Sequence, residues 1–517
     1  MEVGFCQWYA FQVGSQPTQA QTASRISSEA TRSVPVGQTS SQRLSELLVR
    51  SPLHYALISV ILLAPCHWQA RLQAGDLSSH IYNSWLTQLI QAGQVHGLAL
   101  VSQSTNILFD LLLSATFRVA GPDAAQRISV SLAVLVFIWG AFALACTVSG
   151  RKPWNILPCI VMLAYGWVFH MGFFNFYLGL GLAFWALTLL WFPTPRRIAA
   201  AVPVLLLAYA AHALPVVWAG GLAAYVFVAA RISEKWRLFA VAGTIAIMLL
   251  LRVAVASVMQ THWSLSQFTF ITGLDQTWVF DDQYFVVLGG LFLVWGSMFF
   301  NLVRGNARGV IFGIPFQVCI LSAAGVVIIP GGVLPAGYNS ALVFLAERMS
   351  LCVAVCMCAM LALAPSRKLE QYTLITVSLG FFGFLYRDEK VLNALEDRIQ
   401  LAVAGIPKGQ RVTIGVEDSS LRVNPLTHMI DRVCIGRCYS YANYEPSTAQ
   451  FRVRALQQNP YVAFNYMDVS LLEAGRYVVR EQDLPLYQVD LDYSGAFTVT
   501  TQRPGFRNGF TELKSLR

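Results

Sequence analysis

Charged residues are scarce in this sequence, and their scarcity excludes most soluble folds. Only 12% of the 517 residues are Asp, Glu, Lys or Arg and 56% are hydrophobic, whereas a soluble domain carries roughly twice that charged fraction. Apolar runs long enough to cross a bilayer, which needs about 20 residues each, recur from residue 53 to residue 386. The sequence therefore predicts an all-α polytopic membrane protein. The net charge of +9 is then no argument for a nucleic-acid partner.

Residues 1–50 lack an apolar period, and no hydrophobic core with a small-residue cleavage site marks a signal peptide. Ser, Thr and Gln dominate this stretch instead. We expect a disordered cytoplasmic tail without a direct role in function.

Hydropathy predicts about eleven transmembrane helices between residues 51 and 386. They lie near 53–68, 127–148, 154–170, 173–192, 198–212, 215–230, 238–258, 284–303, 309–330, 339–364 and 370–386.

Lys and Arg are absent from alternate loops of this layout. The loops near 171, 213, 259–283 and 331–338 contain neither residue. Because basic loops stay on the cytoplasmic side, the alternation predicts that the N-terminus is inside and the C-terminus outside. The basic loops carry Arg151 and Lys152, Arg196 and Arg197, Arg231, Lys235 and Arg237, Arg304 and Arg308, and Arg367 and Lys368.

Two segments are therefore expected outside an inner (plasma) membrane. The first is the loop 69–126, in which Thr105–Ala120 is too short to cross the membrane and should lie along its surface. The second is 387–517, whose strand-like runs broken by Gly and Pro predict a small α/β or mostly β extracytoplasmic domain. An oxidising location favours a disulfide between Cys434 and Cys438. Two free thiols are the alternative, and part of a metal site is the weakest reading because no second Cys pair lies nearby.

The first loop begins with a polar stripe. Asp76, His80 and Asn83 follow one another at i, i+4 and i+7, which is one face of a helix. An Asp after Gly at a helix start is the usual N-cap, so cap and catalytic carboxylate are both open for Asp76. His80 by itself fits an interfacial histidine better than a base.

Polar residues able to exchange protons collect on the predicted outer face. Of the eight histidines only His54 maps inside, and the short inner loops hold one acidic residue, Glu234. This distribution makes His170 and His212 candidate substrate-binding residues beside Asn83. The outer set comprises His67, His80, His96, His170, His212, His262, His428, Asp76, Asp110, Asp123, Asp275, Asp281 and Asp282.

Three charged residues fall well inside predicted spans, away from the terminal positions. An unpaired charge near mid-membrane costs at least about 2.5 kcal/mol, so Arg252, Glu347 and Arg348 should each face a partner or a cavity. Glu347 and Arg348 are adjacent and point roughly 100° apart, so they do not simply neutralise each other. Arg348 therefore fits either a bound phosphate, which suits its guanidinium fork, or a salt bridge to another helix.

A pair of acidic residues, Asp281 and Asp282, is the weak candidate for a divalent cation, because such ions take carboxylate oxygens. A solvated loop or a helix cap is the more common use of such a pair.

The Asp76-x-x-x-His80 stretch and this layout together resemble the GT-C superfamily of membrane glycosyltransferases, which includes protein O-mannosyltransferases and aminoarabinose transferases. In that superfamily one span leads to a long outer loop with juxtamembrane helices and an early acidic catalytic residue. Thr105–Ala120 matches the second juxtamembrane helix. Asp76 is followed by Leu77, whereas several subfamilies carry an acidic pair, so the resemblance assigns no subfamily and speaks against a metal-dependent mechanism.

The resemblance implies sugar transfer from a polyprenyl-phosphate donor to a glycan, lipid or protein acceptor at the membrane surface. Asp76 would be the base, His80 would orient it or bind substrate, and Arg252 or Arg348 would hold the departing phosphate. Two alternatives are a transporter or lipid flippase, which intramembrane charge also suits, and a non-catalytic envelope assembly protein. Against transport, the halves of the chain show no internal repeat.

Overall fold

The computed structural model describes residues 52–365 and 367–513. The chain divides into two compact units, Met1–Ala64 and Pro65–Arg517. The described part of the first unit is mostly one helix, α1 (Pro52–Leu62), and every residue discussed below as part of a site lies in the second. The further helices are α2 (Leu77–Gln91), α3 (Leu108–Ser149), α4 (Leu157–Ala164), α5 (Trp167–His170), α6 (Phe174–Leu190), α7 (Pro195–Ala211), α8 (Ala213–Ala229), α9 (Glu234–Val258), α10 (Phe285–Ile311), α11 (Ile314–Ile328), α12 (Leu345–Leu361), α13 (Lys368–Val403), α14 (Leu426–Cys434), α15 (Glu445–Thr448) and α16 (Tyr466–Glu473).

Three helical segments in the described ranges are long and apolar enough to cross a membrane. They are Leu108–Ser149, Glu234–Val258 and Asp282–Ile311. Shorter apolar helices include Phe174–Leu190 and Ala213–Ala229. The protein is therefore mostly helical with membrane-like apolar helices. Each of the eleven predicted segments contains a helix, but the count of eleven spans stays a prediction.

Helix α3 is bent between the predicted surface helix and the predicted span that follows it. Gly121 has φ 80° and ψ 176° inside it, and Pro122 follows. Positive φ is readily adopted by Gly, and Pro has no backbone N–H to donate to the preceding turn. Residues 108–120 are thus a separate helical arm, as predicted for Thr105–Ala120.

Helix α12 begins later than the predicted span 339–364, and this changes the position of two charged residues. Strands β2 (Gln260–His262) and β3 (Gly332–Leu334) pair antiparallel, and a further bridge joins Val333 to Leu342. The chain therefore stays non-helical up to Phe344, which takes φ 59° before the helix starts. The predicted span 339–364 puts Glu347 and Arg348 about two turns into a helix, and this expectation is wrong, because both lie in the first turn of α12.

A small strand region follows helix α13, which continues without a break past residue 386, the predicted end of the last span. The strands other than β2 and β3 are β1 (Leu98–Leu100), β4 (Arg411–Ile414), β5 (Val416–Glu417), β6 (Tyr439–Ser440), β7 (Val453–Ala455), β8 (Leu486–Leu491), β9 (Phe497–Thr501) and β10 (Thr511–Glu512). The main sheet of the strand region has the order β6-β4-β8-β9, in which β4 pairs parallel with β6 and β8, and β8 pairs antiparallel with β9.

The first loop and the C-terminal region are joined by strand pairing and by hydrogen bonds. Strand β1 pairs antiparallel with β7, and the amides of Asn83 and Asn443 exchange hydrogen bonds of 3.2 and 2.9 Å. The Tyr82 hydroxyl accepts from the Ser440 N–H at 3.0 Å. Helix α2 is thereby buried between the helical part and the strand region, and its polar face lies inside the protein.

A buried ion pair fixes the same junction. Arg432 donates to both carboxylate oxygens of Glu396 at 2.7 and 2.6 Å, and also to the Leu72 carbonyl and the Gln126 side chain. These partners belong to α13, the first loop and α3. Because a buried pair is stabilising only when its remaining donors are satisfied, these extra bonds let Arg432 join three elements.

Candidate functional site

Asp76 occupies the N-cap position of α2, but its side chain does not cap the helix. The residue has φ −74° and ψ −9° and makes no side-chain hydrogen bond to the first turn. The Asp76 side chain is 22% exposed, and its Oδ1 lies 3.7 Å from Nε2 of His428. The carboxylate is therefore available for other chemistry.

The backbone of Asp76 is held by the turn after helix α5. The Gly75 N–H donates to the His170 carbonyl at 2.7 Å, and the Asp76 N–H donates to the Met171 carbonyl at 3.0 Å. Gly172 follows with φ +85°, and a Cβ at this position would lie 2.5 Å from the Asp76 nitrogen. This close approach requires Gly and fixes the start of α2 against the membrane helices.

His428, from helix α14, lies between two carboxylates. Its Nδ1 is 3.3 Å from Oδ2 of Asp431, and its Nε2 faces Asp76. Burial opposes protonation, but the hydrogen bond and charge of Asp431 and the charge of Asp76 outweigh it and raise the pKa of His428 to about 9. His428 is therefore protonated at neutral pH, with its Nε2 3.7 Å from the Asp76 carboxylate.

His80 turns toward a different pair of carboxylates. Its Nδ1 lies 2.8 Å from Oδ1 of Asp110 and 3.5 Å from Oε1 of Glu445. Burial opposes protonation, yet Asp110 and Glu445 raise the pKa of His80 to about 10. In the described residues the histidine within 4 Å of the Asp76 carboxylate is His428 rather than His80. His428, and not His80, therefore has the position next to Asp76 that was expected for His80.

Arg348 lies above the ring of Phe173, with its guanidinium carbon 3.6 Å from the ring centroid. Its Nε is buried without a hydrogen-bond partner, and no ion pair within 4.0 Å joins it to a carboxylate in the described part of the chain. Asp76 and Tyr444 are the groups whose charges act on it most. Of the two expectations for Arg348, an anion fits this geometry and an interhelical salt bridge does not.

The C-terminal region supplies three further groups. The Tyr444 ring lies 5.2 Å from that of His428 between centroids, and burial raises the pKa of its hydroxyl well above the ordinary value. Burial also raises the pKa of Glu445 to about 8, partly offset by His80, and the pKa of Glu473 to about 7, partly offset by His428. The site is therefore built from both halves of the sequence.

Glu347 belongs to a neighbouring polar cluster. Its carbonyl accepts from Gln276 at 2.9 Å, and its Oε2 is buried without a partner. Asp275 accepts from the Ser350 hydroxyl at 2.9 Å and lies 3.8 Å from Arg422. Burial raises the pKa of Asp275 to about 7, and Arg422 opposes the rise.

Three other candidates have structural partners. His170 is fully buried, with Nε2 3.3 Å from Oε1 of Glu389. His212 accepts from the Leu214 N–H at 3.2 Å and so caps helix α8, although the charge of Arg348 reaches it. Arg252 lies 5.3 Å from the ring of Trp263, and no contact joins it to Asp76 within the described ranges.

Asp281 caps a short turn. Its Oδ1 accepts from the Gln283 N–H at 3.1 Å, and its Oδ2 lies 3.9 Å from Arg387. Asp282 is exposed in the same turn. No group of three or more His, Cys, Asp or Glu residues with metal-binding spacing occurs in ranges 52–365 and 367–513. The use of this pair as a cap, with Asp281 as the capping residue, fits the geometry.

Cys434 and Cys438 form a disulfide. Cys434 ends helix α14, which carries His428 and Asp431, and Cys438 precedes strand β6. The bond thus ties helix α14, whose His428 faces Asp76, to the strand that contacts Tyr82. The other cysteines of the described chain are buried.

The chain matches no family model, no curated protein and no solved structure. The roles of its residues are therefore argued from geometry and chemistry alone.

Sequence reasoning missed most of the C-terminal contribution. His428, Tyr444, Glu445 and Glu473 lie more than 300 residues from Asp76, and no spacing rule links them. Asp110 gave a usable signal, because it is a carboxylate within an apolar helix, where such a residue needs a partner.

Proposed function

We propose that this protein is a membrane glycosyltransferase of the GT-C type. It moves a sugar from a polyprenyl-phosphate donor to an acceptor hydroxyl at the outer membrane face, in a chain with about eleven spans, an inner N-terminus and an outer C-terminal region. One observation carries the proposal. The Asp76 carboxylate is partly exposed and makes no cap hydrogen bond, and its charge acts on Arg348, which has no carboxylate partner in the described structure.

The reaction is an inverting displacement. Asp76 takes the proton of the acceptor hydroxyl as its oxygen bonds to the anomeric carbon of the donor sugar. The bond from that carbon to the phosphate oxygen breaks, and the phosphate leaves with the electron pair. Arg348 stabilises the negative charge that grows on the phosphate, and a preorganised cation of this kind supports the transition state more than the ground state.

His428 is a positioning residue in this scheme. It contacts Asp76 from the side of the C-terminal region and is itself fixed by Asp431. Tyr444 stays protonated in its buried position and is close enough to Asp76 and Arg348 to interact with both electrostatically. It is available to donate a hydrogen bond to the phosphate.

Phosphate binding is assigned to Arg348 rather than to Arg252. Arg252 packs on Trp263 and has no contact with the Asp76 cluster in the described ranges. Glu347 and His212 lie close enough to act on Arg348 electrostatically, and His170 supports the backbone at Gly75. These residues shape the site without direct chemistry.

The assembly-protein alternative requires Asp76 to be only a helix cap. The missing cap hydrogen bond supports the transferase over that alternative. No observation in the described structure favours a transport path.

Deletion of the gene tests the proposal and identifies the donor sugar in the same experiment. We expect one lipid-linked sugar to accumulate in cells of the source organism that lack the gene (called deleted cells below), as measured by mass spectrometry of extracted lipids. Wild-type protein should clear it, whereas Asp76→Asn, inserted at a normal level, should not. Asp123→Asn is the matched control, because Asp123 is an exposed carboxylate of helix α3, just after its bend. Clearance by Asp76→Asn as fast as by wild type would overturn the proposal.

A further inference from the structure

A narrow cleft lies beside His80, one helical turn from Asp76. It holds about 10 Å³ of space, enough for one water-sized polar group. Every lining residue except Val453 is polar or charged. The cleft is lined by His80, Asn83, Ser84, Thr87, Asp110, Ser114, Glu445, Arg452 and Val453.

Three elements align these side chains. His80, Asn83, Ser84 and Thr87 follow at i, i+3, i+4 and i+7 on helix α2, so they form one stripe along its buried face. Asp110 and Ser114 lie one turn apart on the first arm of α3. Glu445 of α15 and the segment leading into β7 close the remaining wall.

The hydroxyl groups of helix α2 in the cleft already donate their protons to the backbone. Ser84 donates to the His80 carbonyl at 3.0 Å, and Thr87 donates to the Asn83 carbonyl at 2.8 Å. Ser84 also accepts from the Ser114 hydroxyl at 3.4 Å, and Asp110 accepts from the Asn175 amide at 2.8 Å. Each of these oxygens, like that of Thr87, has a further lone pair that can accept a hydrogen bond. Arg452 adds a donor at the rim, and it has no carboxylate partner within 4.0 Å in the described chain.

The charges in the cleft disfavour an ammonium group. His80 pairs with Asp110 at 2.8 Å, Arg452 adds a second cation, and burial raises the pKa of Glu445 to about 8, so no excess negative charge is left to attract an ammonium. A hydroxyl both donates to lone pairs and accepts from a cation, which matches the groups on offer.

From this arrangement we infer that the cleft is an acceptor subsite, which binds a second hydroxyl group of a polyhydroxylated acceptor and so presents the reacting hydroxyl to Asp76. The inference rests on the proposed function and deepens it, because it requires an acceptor with at least two hydroxyl groups near each other. His80, which lines the cleft, lies one helical turn after Asp76, since its N–H donates to the Asp76 carbonyl at 2.9 Å.

The test compares two activities of the full-length protein. Purified protein in nanodiscs, supplied only with the lipid-linked sugar that accumulates in deleted cells, has water as its acceptor, and release of polyprenyl phosphate measures hydrolysis. Whole deleted cells that express the same variant contain the native acceptor, and clearance of the lipid-linked sugar measures transfer. The ratio of transfer to hydrolysis reports acceptor binding.

Two variants change the cleft without touching Asp76. Thr87→Val removes a lone-pair acceptor at nearly constant volume and should lower the ratio about fivefold, the value of about one hydrogen bond. Ser114→Leu fills the cleft and should lower the ratio at least about tenfold. Thr87→Ser keeps a hydroxyl and should restore most of the ratio. Thr116→Val is the control, since Thr116 lies on the same arm but bonds Leu112 and Ser129 instead.

Each outcome decides the inference. A fall in the ratio with rescue by Thr87→Ser supports the subsite. An unchanged ratio, or equal losses of both activities in Thr87→Val and Ser114→Leu, overturns it, because the residues then act on stability or on the chemical step. Failure of wild-type protein to release polyprenyl phosphate at all, or full activity of Asp76→Asn, would instead overturn the proposed function.

Discussion

At the scale of single residues, the environment of each ionisable group decides its role. Asp76 and His80 are neighbours on one helix, yet Asp76 is 22% exposed beside His428, whereas His80 is buried between Asp110 and Glu445. A buried histidine held by two carboxylates is a poor proton acceptor at neutral pH, because releasing its proton would leave those carboxylates unpaired. The exposed carboxylate is therefore the better base.

The stability of the protein should depend on the charge of His80. Its pKa of about 10 in the folded protein lies above its ordinary value of about 6.5, so its ion pairs contribute fully below pH 6.5 and lose their contribution as the pH rises through about 10. His80→Gln should cost about 3–5 kcal/mol at pH 6, as expected when one partner of a buried pair is removed. The cost should shrink toward pH 10.

Denaturant unfolding in mild detergent at pH 6, 8 and 10 measures this difference. His96→Gln is the control, because His96 is exposed and has no carboxylate partner within 4.0 Å in the described chain. A cost of His80→Gln that stays constant or grows with pH would show that His80 is not a cation in the folded protein.

At the scale of elements, the start of helix α2 depends on the turn that follows α5. Gly172 combines a positive φ with a backbone contact that leaves no space for a Cβ next to Asp76. Gly172→Ala should therefore strain the turn and displace the Asp76 backbone, with a loss of about 1–2 kcal/mol from φ alone and a further loss from the steric clash.

Gly150→Ala separates these two effects. Gly150 has φ +66° but no atom within 4 Å of a Cβ built there, so the variant carries the backbone strain without the clash. We expect Gly172→Ala to lower both the midpoint of thermal unfolding and donor turnover more than Gly150→Ala does. Equal effects on turnover would contradict the proposed support of Asp76 by this turn.

The elements also mark where sequence reasoning succeeded and failed. Periodicity predicted the Asp76, His80 and Asn83 stripe, and the short apolar run predicted a separate helix before Gly121, because both depend on local sequence. The expected position of Arg348 along its helix was wrong, because the pairing of β2 with β3 delays the start of α12 and hydropathy does not detect that pairing. His428 and Glu445 were not predicted as site residues, because their contacts with α2 depend on the long-range fold.

At the scale of the whole molecule, the site requires the C-terminal region as much as the membrane helices. Strand β7 pairs with β1, Arg432 joins α14 to α13 and α3, and Arg422 donates to the carbonyls of Asp275 and Trp278 at 2.6 and 2.5 Å. The proposed reaction requires these contacts to lie at the outer face of the membrane.

Cysteine labelling tests this orientation. Tyr493 is fully exposed in the turn between β8 and β9, and Tyr493→Cys should react with a membrane-impermeant maleimide in intact cells. Lys235→Cys, in a predicted inner loop, should react only after the cells are made permeable. Cys6, which lies outside the described residues, is changed to Ser in both variants to remove its background, and the native thiols of the described chain are buried. The reverse pattern would place the site inside and contradict the account.

The most direct test of the central claim is the rate at which purified protein in nanodiscs releases polyprenyl phosphate from the lipid-linked sugar that accumulates in deleted cells. The account predicts that Asp76→Asn lowers this rate at least about 100-fold, the usual contribution of a general base, while Asp123→Asn leaves it near the wild-type value. A folded Asp76→Asn protein that releases polyprenyl phosphate at the wild-type rate would contradict the claim that Asp76 is the catalytic base.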